Sequence, residues 1–237
     1  MKKKVLTVAL VVALIAIMVS GTLAYFTDND KVTNTFTIGS VKIEIWENGT
    51  ATDEDVRQLG KLTPIVNIQN PAGDDSYIDK VVTVKNTGAN AAYLRTFIAI
   101  PTALVGYLHL DPNQAQKWML LDESQATVDS VEYTVYKYVY TGDFGPGAET
   151  TSLLSGVYLG SDVDLEEDGN GDLVFIRRDA DGNKIATAAY VAHTKTANGY
   201  TTNTVNVLVA SQAIQTEGFT DATTALDSGF GTGNPWN

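Results

Sequence analysis

The 237-residue chain has no cysteine, two histidines and six prolines. Without cysteine there is no disulfide, thiolate nucleophile, Fe–S cluster or thiolate-bound zinc. Basic residues are also scarce: 16 Lys and Arg stand against 28 Asp and Glu, a formal net charge of −12. Such a balance offers phosphate backbones no neutralising surface, which disfavours nucleic acid as a partner. Catalytic signatures are absent too. His109 and His193 do not form an H-E-x-x-H helix, and there is no G-x-S-x-G elbow, phosphate-cradling G-x-x-x-x-G-K or S-x-x-K. Each histidine reads as a structural or surface residue rather than a metal ligand. With 44% hydrophobic residues the chain is nevertheless rich enough to bury a core, which argues against disorder.

The first residues predict export. Lys2, Lys3 and Lys4 precede an apolar run from Val5 to Val19 that ends in Ser20-Gly21-Thr22-Leu23-Ala24. This is the three-part order of a secretory signal peptide, with cleavage expected between Ala24 and Tyr25. The run is shorter than the roughly 20 residues a spanning helix needs, so membrane attachment is expected only through the uncleaved signal, with an uncleaved anchor as the alternative. Cleavage removes three lysines and no acid, so the product carries a net charge of −15. The expected organisation is a signal peptide over 1–24, an N-terminal strand over 25–38 and one β domain over 39–237.

Downstream, short β-patterned runs alternate with Gly, Asn and Asp turns. Strands are predicted over 36–46, 79–86, 92–100, 131–141, 153–160, 173–178, 185–192 and 204–214. In 36–46, Val41, Ile43 and Ile45 share one face. Helix is predicted only over 112–121, with Asp111 as N-cap and Pro112 at the first position, and as a turn or two over 220–226. Many strands, one or two short helices and no βαβ alternation predict an all-β fold, an antiparallel β-sandwich of jelly-roll type.

Two internal features admit a binding role. The acidic segment from Asp162 to Asp172 resembles a calcium loop in offering Asp164, Glu166, Asp168 and Asp172 as oxygen ligands around Gly169. Phe175 stands where the bidentate Glu of an EF-hand belongs, so the choice lies between a looser calcium site and a hairpin turn. The hairpin chemistry of Asp168-Gly169-Asn170-Gly171 recurs at Asp179-Ala180-Asp181-Gly182-Asn183 and favours the turn. Tyr136, Tyr138 and Tyr140 form a stripe that reads either as a carbohydrate or partner platform or, more simply, as core.

Four stretches carry a resemblance. Gly21-Thr22-Leu23-Ala24-Tyr25-Phe26-Thr27-Asp28 followed by Asn34-Thr35-Phe36-Thr37-Ile38-Gly39-Ser40-Val41-Lys42-Ile43 resembles the start of the TasA and camelysin family, exported through a SipW-type signal peptidase. Residues 79–88, Ala92-Tyr93-Leu94-Arg95 and the segment 205–226 are similar to the same group. The resemblance implies a secreted jelly-roll subunit whose partners are copies of itself in extracellular biofilm-matrix fibres and the processing peptidase; with the weak enzyme signals above, the expectation is a structural protein without catalytic activity and without a cofactor other than the calcium that the acidic loop leaves open. It also suggests assembly by strand donation, and the residues make separate sense of that. A freshly cut apolar end carrying Tyr25, Phe26, Val32, Phe36 and Ile38 is a strand without a fixed home. Inserted into a neighbour's sandwich, it would obtain affinity from its backbone and register from alternate side chains. The contact is head-to-tail and propagates. The alternatives are a first strand lying on its own sheet, a monomeric adhesin or carbohydrate-binding module, and a secreted metallopeptidase, a label some family members carry and to which these residues lend no ligand pattern.

Overall fold

The computed structural model describes residues 27–30, 41–47, 50–51, 62–66, 69–112 and 117–237. These residues form an all-β, sandwich-type fold of antiparallel sheets. The strands are β1 (Thr27–Asp30), β2 (Ile43–Glu47), β3 (Thr50–Ala51), β4 (Ile78–Asp79), β5 (Val82–Asn86), β6 (Ala92–Pro101), β7 (Leu108–Pro112), β8 (Trp118–Val128), β9 (Val131–Tyr140), β10 (Leu154–Leu159), β11 (Val163–Glu167), β12 (Leu173–Arg178), β13 (Lys184–Thr196), β14 (Gly199–Thr202) and β15 (Leu208–Gln215). One α-helix, α1 (Ala222–Phe230), follows them.

A five-stranded sheet in the order β1-β15-β6-β9-β8 is the centre of the molecule. Three smaller sheets accompany it, ordered β3-β2-β5, β4-β10-β7 and β11-β12-β13-β14. On one face of the central sheet Leu94, Ile98, Tyr138 and Ala213 pack with Ile43 and Ile45 of β2, Val82 and Val84 of β5 and Leu154 of β10. A second core continues from Ile100 through Leu108, Val157 and Leu159 to Val163 and Phe175 of the four-stranded sheet. The opposite face of the central sheet is covered as well. Trp236 lies on Phe97 and Val135, and Ala225 and Leu226 of α1 lie on Val139 and Ile214. This double cover explains why β6 reads as an almost unbroken apolar run instead of alternating.

The hairpins follow from their turn residues. Asp129 and Ser130 take φ of 49° and 68°, the left-handed pair of a two-residue type I′ turn, and join Val128 directly to Val131. The next two hairpins share one design. Asp168 Oδ1 accepts from the backbone N–H groups of Asn170 and Asp172 at 2.8 and 2.9 Å. Asp179 Oδ1 accepts from those of Asp181 and Asn183 at 3.0 and 2.8 Å. In both, a glycine (Gly171, Gly182) occupies the left-handed position, with φ of 85° and 84°.

Two sequence expectations are corrected. No helix spans 112–121: Pro112 ends β7, and Trp118 opens an eleven-residue strand paired with β9 from Trp118↔Tyr140 to Val128↔Val131. A local cap is worth about 1 kcal/mol, and a ladder of that length beside the best strand in the chain outweighs it. The expected strand 79–86 is also interrupted. The break falls at Lys80 and Val81: the Lys80 N–H donates to the Ser155 carbonyl at 3.2 Å, its buried side chain donates from Nζ to Glu47 Oε1 at 2.8 Å, and β4 and β5 join different sheets. The expected helical turn at 220–226 extends to Phe230, capped where Asp221 Oδ1 accepts from the Thr224 N–H at 2.8 Å.

Candidate functional site

The outer side of β15 is where the N-terminal part of the chain meets the central sheet. Ala210 to Ile214 are all buried, because Ala213 faces the sandwich core and Ile214 faces α1. One side of β15 is bonded to β6 along its whole length, from Leu208↔Ala99 to Gln215↔Ala92. Among the described residues the other side pairs with the four residues of β1, in the register Thr27↔Ile214, Asp28↔Ala213, Asn29↔Gln212 and Asp30↔Ser211. A buried strand with a bare edge is a template for pairing, and here the segment Thr-Asp-Asn-Asp covers it.

The slot is held rigid from behind. Arg95 of β6 is 1% exposed and stands opposite Gln212. Its Nε donates to Gln212 Oε1 at 2.7 Å, Nη1 to Asp227 Oδ1 at 2.8 Å and Nη2 to the Gly231 carbonyl at 2.8 Å. Its guanidinium carbon also lies over the rings of Phe97 and Phe230, at 5.3 and 5.7 Å. Burial lowers the Arg95 pKa and the Asp227 carboxylate pulls it back up, and a guanidinium stays charged throughout. One buried side chain therefore fixes β6, β15 and the end of α1 together. Next to it, the Thr96 and Ser211 hydroxyls share a hydrogen bond at 2.8 Å between the same two strands.

Of the residues expected to act in assembly, Ala24, Tyr25, Phe26, Val32, Phe36 and Ile38 lie outside the described residues. The four expected calcium ligands are not gathered into one ligand set. Asp164 accepts from the Leu165 N–H and from Arg178 Nε, and these hold its carboxyl below the usual carboxylate range. Glu166 pairs with Lys184 and Arg178, Asp168 caps its own turn, and Asp172 Oδ1 accepts from the Lys195 N–H at 2.7 Å. Among the described residues no group of three or more His, Asp or Glu side chains is placed to hold a metal ion. The acidic loop is a turn whose carboxylates are spent on backbone amides and basic neighbours.

The tyrosine stripe is core. Tyr138 and Tyr140 are 9% and 6% exposed in the sandwich interior, and Tyr136 packs half-buried against it. That removes the geometric basis for a surface platform at these residues. His109 stacks on Tyr158 with centroids 5.2 Å apart, and burial lowers its pKa. His193 Nδ1 lies 3.0 Å from Thr202 Oγ1 at the far end of the four-stranded sheet. The pattern signal for Arg95 in the sequence is a lone charge inside an apolar strand run, a setting in which charges are rare unless partnered.

No helix among the described residues is long and apolar enough to cross a membrane. Compared with protein-family models, curated proteins and solved structures, the chain matches none. The fold and the edge together define an all-β sandwich-type protein in which a short N-terminal strand completes the central sheet.

Proposed function

We propose that the chain is a secreted structural subunit that polymerises head-to-tail by donor-strand complementation into extracellular filaments of the biofilm-matrix kind. The observation that supports this reading is the β15 edge, buried on both faces and paired, among the described residues, with a four-residue strand from the N-terminus. The same slot in a neighbouring subunit accepts the same segment without any new surface. Donor and acceptor are then different parts of the chain, so the contact cannot close on itself and a filament results. Export and trimming by a SipW-type peptidase would free the segment, since a strand tethered to a membrane anchor cannot thread into a neighbour. The reading assigns no catalytic step.

A monomeric reading is favoured by one observation: Thr27–Asp30 pairs with β15 of its own chain. The two readings differ in whose N-terminus fills the slot. Exchange of this plug for a neighbour's strand is the proposed polymerisation step. The test compares the processed chain with one lacking residues 25–35 by electron microscopy and sedimentation. Filaments from the processed chain alone support donation; equal filament formation by both rejects it.

A further inference from the structure

The outer face of the three-stranded sheet carries a cluster that the assembly reading does not use. Tyr158 of β10 stands opposite His109 of β7, and Gly156 stands opposite Asp111. A register shift between Leu154 and Gly156 and the lack of a side chain at Gly156 leave room for the Tyr77 ring, which lies where a Cβ at Gly156 would be. Tyr77 and Tyr158 are thereby stacked, with centroids 6.1 Å apart and planes 26° apart. His109 backs Tyr158 on its other face at 5.2 Å and 19°. The Tyr77 hydroxyl donates to Asp111 Oδ2 at 2.8 Å. Both tyrosines are half-buried.

We propose that Tyr77 and Tyr158 form an oxidative cross-linking site, at which a peroxide-charged haem peroxidase joins the two rings as dityrosine while Asp111 takes the Tyr77 phenolic proton. Each ring gives up one electron and one proton, and the two tyrosyl radicals couple ortho carbon to ortho carbon. The hydrogens on those carbons then move to the phenolic oxygens through solvent, restoring both hydroxyls. Two hydrogen atoms leave in total, and hydrogen peroxide accepts them to become two waters. Three features favour this pair. The rings are held together before oxidation, so coupling needs no diffusion. Burial and then the hydrogen bond to Asp111 raise the Tyr77 pKa, so the phenol keeps its proton until the electron leaves, and the bonded carboxylate is the acceptor in place. The more exposed Tyr200, 45% accessible, has no ring contact with another tyrosine among the described residues and is left to react between molecules. In a chain without cysteine, a bond between residues 77 and 158 constrains the unfolded state as a disulfide would. The inference is independent of filament formation.

The test treats dilute, folded, full-length protein with horseradish peroxidase and hydrogen peroxide, then follows dityrosine fluorescence and maps cross-linked peptides by mass spectrometry. The expected product is monomeric, has lost two hydrogen atoms, joins the Tyr77 and Tyr158 peptides, and melts at a higher temperature than the untreated chain. Tyr158→Phe should abolish that peptide, and Asp111→Asn should slow its formation several-fold with Tyr200 reactivity unchanged. A cross-link confined to other tyrosines or to dimers overturns the site. An unchanged rate in folded Asp111→Asn overturns the assigned proton acceptor, and the site itself is tested on the native protein, whose cross-links are mapped directly.

Discussion

Arg95 Nη1 donates to Asp227 Oδ1 at 2.8 Å, joining the middle of the central sheet to the last turn of the helix that covers it. The two partners differ in exposure: the Arg95 side chain is 2% accessible and that of Asp227 30%. Desolvation therefore falls mainly on the cation, and the consequences of removing either partner differ.

Asp227→Asn leaves a buried guanidinium without its countercharge and should cost about 3 kcal/mol, in the range measured for breaking buried pairs. Arg95→Met keeps most of the packing volume and lets Asp227 rehydrate, so it should cost less than Asp227→Asn unless the stranded Gln212 amide dominates. Chemical denaturation of the two variants checks the order. The double variant should lie well short of additivity, because both changes act on one contact.

Asp221 caps the helix, and the Thr224 N–H holds its carboxyl below the usual carboxylate range. A folded pKa below the unfolded one means that the stabilisation is complete above the unfolded value and is lost as pH falls through the folded value. Asp221→Ala should therefore lower Tm at neutral pH and leave it little changed in strong acid, where the native carboxyl is protonated as well. Thermal melts of both proteins across the acid limb give the answer.

Tyr138→Ala opens a cavity in the sandwich core and should destabilise by about 3–5 kcal/mol, whereas Tyr138→Phe should cost far less. Soluble polysaccharides should not protect either variant thermally, because the ring is not on a binding surface.

The hairpins at Asp168 and Asp179 hold themselves with their own amides. Added calcium and added chelator should therefore leave Tm unchanged, and Asp168→Ala should destabilise the protein equally with and without calcium. Differential scanning calorimetry under the two conditions checks this.

The sequence makes the strand at 131–140 legible because β-branched and aromatic residues fill it. Ile43 and Ile45 alternate cleanly for the same reason, since their strand has one buried face. Strand β8 escaped because its register depends on β9, while the local signal at Asp111-Pro112 spoke for a helix. Tyr138 and Tyr140 read ambiguously because the central sheet is covered on both faces, a fact about neighbours and not about the strand itself. The pairing of Thr27–Asp30 with β15 is not legible in the sequence, because nothing in the N-terminal residues names the strand they meet. The cluster of Tyr77, Asp111 and Tyr158 was invisible, because three separate strand regions assemble it and no spacing rule connects them.

The absence of cysteine offers a direct measurement of whose strand fills the slot. Asp30 and Ser211 are register partners, and facing positions on antiparallel strands suit a disulfide. On the proposed strand donation, processed Asp30→Cys and Ser211→Cys chains, mixed, polymerised and oxidised, should give a covalent dimer joined between these two positions. If the mixture yields no such dimer, while the double variant closes the same disulfide within one chain in the assembled material, the N-terminus stays on its own body and the account is contradicted.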